Sequence, residues 1–165
     1  MDLIKNLYEN EYEEMEGEVY FGYIDKYIRL IFEKDIPMDY VCNTVKMLQE
    51  FDEQMMYEIC KYSVKYCTDT LERFSDMELD IDVNKLDNPL NILEYMKITG
   101  LIVNMPEDMT EIGINLEGTC DWAEEIGIQW IIKEKKVVYV GSWSMLDMWI
   151  SSYEESLSNY VRNNQ

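Results

Sequence analysis

The sequence has no histidine, and its 165 residues set only 14 Lys and Arg against 34 Asp and Glu, a formal charge of −20. Without the one side chain whose unperturbed pKa lies near neutrality, a Ser-His or Cys-His nucleophile pair, a His general base and a His-liganded zinc site are all excluded. The shortage of cations opposes binding to nucleic acid or anionic lipid, which need a positive surface. No apolar run approaches the ~18–20 residues that span a bilayer, and Met1 to Glu18 shows no basic segment followed by an apolar stretch. A cytoplasmic location is expected. The four cysteines, Cys42, Cys60, Cys67 and Cys120, contain no Cys-x-x-Cys spacing, so buried reduced thiols are expected rather than a metal or disulfide framework.

What is present is material for a core. Apolar residues make up 47% of the chain, and a chain of this length buries ~70% of its unfolded surface on folding. No linker, repeat or low-complexity tract divides it, so a single domain over residues 1–165 is expected.

The hydrophobic period changes several times. Val19 to Ile24 and then Tyr27 to Glu33 alternate in the manner of a strand pair, with Asp25-Lys26 at the turn, which predicts an amino-terminal hairpin. Pro37 suits the first turn of a helix carrying Val41, Val45 and Leu48. A second helix follows: Asp52 is an N-cap, Phe51 and Met56 suit a hydrophobic staple, and Met56, Cys60, Val64, Cys67, Leu71 and Phe74 recur at spacings of three and four. In Ser75 to Asn88, Met77, Leu79, Ile81 and Val83 alternate with Asp76, Glu78, Asp80, Asp82 and Asn84, which predicts an edge strand with an acidic face. Its spacing does not match the calcium-binding loop, so no metal is expected. Asn88-Pro89 opens a short helix ahead of Gly100. Leu101–Asn104, Glu111–Gly118, Gly127–Lys133 and Lys136–Gly141 then read as antiparallel strands, and SSYEESLSNYVRN as a short terminal helix. The expected fold is α+β: an antiparallel sheet mainly from the carboxy-terminal half, with two long helices over about residues 38–74 packed on one face.

Thr119 to Trp149 gathers all four tryptophans, Trp122, Trp130, Trp143 and Trp149, beside paired acids. Within it Cys120, Trp122, Glu125 and Gly127, a hydrophobic strand, a charged turn, Val140-Gly141 and Trp149 resemble the closing hairpin of an uncharacterised bacterial domain family with the pattern Cys-x-Trp-x-x-Glu-His-Gly. The stretch from Ile24 to Phe51 is similar to the amino-terminal half of the same proteins, which resemble immunity-type proteins of polymorphic toxin systems. Ile126 stands where that pattern has histidine, so no role of that histidine carries over. The resemblance implies binding and neutralisation of a cognate toxin domain.

Two function classes follow. A hydrolase or metal-dependent enzyme would need carboxylates converging on one point, and adjacent Glu124 and Glu125 do not offer this, since neighbours on a strand point to opposite faces. Glu111, Asp121 and Asp82 would have to meet in space. Cys120 as a nucleophile lacks a base and sits in an acidic neighbourhood, which raises a thiol pKa. Stoichiometric binding of a basic protein fits better: residues 1–18 hold seven acids against Lys5 alone, and residues 98–132 hold seven acids and no Lys or Arg. The expected contact residues are Asp80, Asp82, Asp121, Trp122, Glu124, Glu125, Trp143 and Trp149, with no cofactor and a basic toxin domain, such as a nuclease, as partner. A solvated acidic face, or a scaffold for some other partner, is the bland alternative.

Overall fold

The computed structural model describes residues 1–162. Strands β1 (Ile4–Glu9), β2 (Glu14–Phe21), β3 (Lys26–Glu33), β4 (Met96–Val103), β5 (Gly113–Cys120), β6 (Ile128–Lys133) and β7 (Lys136–Ser142) form one sheet in sequence order. Every neighbouring pair is antiparallel except β3 and β4. A parallel pair needs a connection that carries the chain back to the same end of the sheet. Here the connection holds helices α1 (Met38–Leu48) and α2 (Glu53–Arg73) and two 3-10 turns, Val83–Asp87 and Pro89–Tyr95. The fold is α+β with an amino-terminal hairpin, as the alternation and helical spacing predict.

Local chemistry explains the helices. The Asp52 carboxylate accepts the Met55 N–H at 2.8 Å and starts α2. Met56, Ile59, Cys60, Ser63, Tyr66 and Cys67 form its buried stripe. That stripe rests on the sheet: the indole N–H of Trp130 in β6 donates to the Ser63 hydroxyl at 3.2 Å, and the Tyr66 hydroxyl donates to the Gly127 carbonyl at 3.1 Å. Tyr40 of α1 donates to the Glu111 carbonyl at 2.8 Å. The core between sheet and helices holds Leu30, Leu48, Met56, Leu101, Ile114, Leu116 and Trp130. Across β6 and β7 the other face of the sheet is also covered, because Ile131 and Tyr139 pack with Met148 and Tyr153 of the carboxy-terminal segment.

Two expectations need correction, and one strand is not among those expected. Residues 75–82 form no strand; the Asp82 carboxylate accepts the Asn84 N–H at 3.1 Å and turns the chain into Val83–Asp87, while Leu79 and Ile81 tuck against the core as an irregular segment. The outermost strands of the sheet are β1 and β7. β1 has no period-2 signal because five of its six residues are exposed on that edge. The expected terminal helix is a five-residue 3-10 turn, Ser151–Glu155, and its last residue, Asn163, lies outside the described part.

Candidate protein-binding site

After Arg73 the α2 helix closes with the Phe74 N–H on the Thr70 carbonyl at 3.0 Å, and the chain leaves as the acidic segment Asp76–Asp82. The second acidic segment is the turn between β5 and β6. There Ile126 and Gly127 both donate to the Ala123 carbonyl, at 3.1 and 2.8 Å. Gly127 takes φ +84, and a Cβ there would meet the Gly118 carbonyl oxygen at 2.6 Å, so the turn requires glycine. Trp122 points inward, 1% exposed, with its ring edge-on to Tyr66 at 5.6 Å. Asp121, Glu124 and Glu125 point outward.

Tyr95 joins the two segments. Its phenol oxygen accepts the Asp82 N–H at 3.2 Å, and its carbonyl accepts the Asp121 N–H at 2.9 Å. One end of the molecule thereby carries Asp76, Glu78, Asp80, Asp82, Asp121, Glu124 and Glu125, all exposed. None of them takes part in an ion pair among the described residues. The same segments expose apolar side chains: Phe74 54%, Met77 42%, Val83 50% and Ile126 54%. Phe74 and Ile126 line one shallow groove of about 190 Å³ together with Tyr160, so the end of α2 and the β5–β6 turn adjoin. Apolar anchors ringed by charge are the anatomy of a protein contact surface.

The remaining candidates lie elsewhere. Trp143 donates its indole N–H to Glu117 at 2.9 Å on the opposite face of the sheet. Trp149 donates to the Asn104 carbonyl at 3.3 Å and carries Lys133 above its ring at 5.5 Å. Trp122 packs in the core and has no surface for a partner. The carboxylates therefore assemble at one end while the tryptophans do not join them. Phe74, Met77 and Ile126, absent from the expected set, are the apolar groups at that end. Their signal in the sequence is the apolar stripe of α2 running on past the helix and an isoleucine, Ile126, beside the acidic pair Glu124-Glu125.

Glu111 and Asp121 stand at opposite ends of β5, an eight-residue strand apart, so they do not converge. Among the described residues no three His, Cys, Asp or Glu are grouped to hold a metal ion. Burial pushes the Cys120 thiol up to about 12, and the thiol points at the Ala123 carbonyl at 3.8 Å. At neutral pH it is a thiol, a poor nucleophile. No helix among the described residues is long and apolar enough to cross a membrane.

Residues 3–148 match a domain of unknown function, DUF6985. The chain belongs to the DUF6985 family. All seven strands, both helices, Tyr95 and the two acidic segments lie inside the DUF6985 match, whereas the Ser151–Glu155 turn lies beyond it. No curated protein and no solved structure matches the chain.

Proposed function

We propose that this DUF6985 protein is an acidic binding module that neutralises a basic protein by stoichiometric contact, in the manner of an immunity protein covering a cognate toxin domain. The observation that carries the reading is the junction at Tyr95, which unites two acidic segments distant in sequence into one end with exposed Phe74, Met77 and Ile126. Seven carboxylates that take part in no ion pair among the described residues leave their charge for an incoming Arg or Lys, and the apolar groups between them supply area that water would otherwise cover. The field of a chain at −20 speeds encounter with a cation-rich surface. The resemblance of the Cys120, Trp122, Glu125 and Gly127 pattern to immunity-type proteins supports the toxin as the class of partner, and a nuclease, whose active surface is built to meet phosphates, is the class most open to carboxylate mimicry.

The test is affinity capture from the native lysate at physiological salt, with the amount of each co-eluting protein measured. A basic protein retained in equal amount to the bait, whose activity falls on adding the bait, is the expected result. Retention of material only at low salt, or of no basic protein, would overturn the reading.

A further inference from the structure

The pairing of β3 with β4 is incomplete. Only Arg29–Phe32 meets Gly100–Val103 in the parallel ladder. Upstream, residues 26–28 of β3 still pair with β2, and residues 96–98 of β4 still pair with β5, but the two stretches do not pair with each other. The sheet is forked at this point, and the fork opens into a groove of about 700 Å³. A gap between strands leaves facing backbone groups and the side chains beneath the sheet accessible from its other face. The groove floor accordingly includes Ile24, Ile28, Leu93, Met96 and Ile98, residues of the helix-side core or packed against it.

The rim carries charges of both signs, three cations and two carboxylates. Of the two carboxylates lining the groove, Glu16 is held by the Arg29 guanidinium through contacts of 2.9 and 3.2 Å. Glu18 accepts from the Asn6 amide and stands opposite Lys5 in the β1–β2 register. Lys5 itself lies over the Tyr27 ring at 3.5 Å. Glu16 is thus compensated by a cation, and Glu18 has the neutral Asn6 amide as its hydrogen-bond partner. Lys26 and Lys97 also line the groove, are exposed, and take part in no ion pair among the described residues. In a chain with 34 acids to 14 bases, two free ammonium groups beside an apolar floor are a local reversal of sign. The volume falls within the ~300–1,000 Å³ of small-molecule sites, which combine an apolar lining with a few polar groups that fix orientation.

We infer that the β3–β4 fork binds a small amphiphile with an apolar body and a single carboxylate, the body on Ile24, Leu93 and Ile98 and the carboxylate between Lys26 and Lys97. Charge complementarity selects the anion: a cationic ligand would meet two uncompensated lysines, and a neutral one would leave them unused. Tyr8 and Tyr27 flank the opening and add aromatic surface. The site is separate from the acidic end, and its ligand does not depend on the protein-binding reading.

The experiment is an NMR titration of the full chain with decanoate and, separately, with decanol. Decanoate should give saturable shifts at the amides of Tyr27, Thr99 and Gly100, and decanol should bind about tenfold more weakly for want of the charged contacts. The Lys26→Met, Lys97→Met double variant should weaken decanoate about tenfold and leave decanol unchanged; the Lys26→Arg, Lys97→Arg variant should keep decanoate binding, and Lys46→Met on α1 should bind as the parent does. Decanoate and decanol binding equally well, absence of saturable shifts at those amides, or full decanoate affinity in the Met variant would overturn the inference.

Discussion

The backbone N–H of Asp82 donates to the phenol oxygen of Tyr95 at 3.2 Å. Because the Tyr95 carbonyl also holds the Asp121 N–H, this one bond ties the irregular segment 76–82 to the β5–β6 turn. Tyr95→Phe should remove it at a cost of about 0.5–1.5 kcal/mol in global stability. The larger effect should be local: amide exchange should accelerate at Asp82 and its neighbours but not at Asp121, whose bond to the backbone carbonyl survives. Equal acceleration at both would contradict this division.

Trp130 and Trp122 are both buried, yet among the described residues only the first has a partner for its indole N–H, the Ser63 hydroxyl. Ser63→Ala should therefore leave a buried donor unpaired and cost about 1–3 kcal/mol. Trp130→Phe gives up a hydrogen bond as well as volume, whereas Trp122→Phe gives up volume and removes a donor that is already unsatisfied. Denaturant unfolding should find the Trp130 substitution the more damaging of the two; the reverse order would mean that Trp122 has a solvent partner worth as much as Ser63.

Stability should fall in alkali. Burial raises the thiols of Cys60, Cys67 and Cys120 from 9.0 to about 12, and the Tyr40 hydroxyl from 10.0 to about 12. Below pH 9 these thiols are protonated in both states and add no pH dependence. Between pH 9 and 12 the unfolded chain loses protons that the folded chain keeps, so unfolding is favoured progressively. Tm should decline steadily above pH 9, and Cys60→Val, which leaves one fewer buried thiol, should decline less steeply. A Tm constant to about pH 11 would contradict the burial of these groups.

Much of this fold is legible in the residues. Asp52, Pro37 and the three-and-four spacing mark α1 and α2 because caps and amphipathic stripes are local properties. The strands from Gly113 onward are legible because their apolar alternation faces a core. β1 escapes because an exposed edge strand needs no apolar period. Asp76 to Val83 misleads for the converse reason: its alternation is complete, but Leu79 and Ile81 pack against the core without sheet pairing, and Asp82 caps a turn instead. The parallel β3–β4 pair, and the fork within it, depend on where the crossover returns the chain, which no local pattern encodes. The candidate site divides in the same way. Its acids could be read as clusters in sequence, while their union through Tyr95 could not, and the burial of Trp122 follows from its packing on Tyr66.

The central claim concerns the acidic end, and charge reversal there tests it most directly. The side chains of Asp121 and Glu124 are exposed and hold none of the described hydrogen bonds or ion pairs, so Asp121→Lys with Glu124→Lys should leave the fold and Tm near those of the parent. Capture at physiological salt should retain a basic partner on the parent protein in equal amount and lose most of it on the reversed variant, while reversal of the distant Glu107 and Asp108 should leave capture intact. Equal retention by the parent and the Asp121, Glu124 variant would contradict the claim that this end is the binding surface.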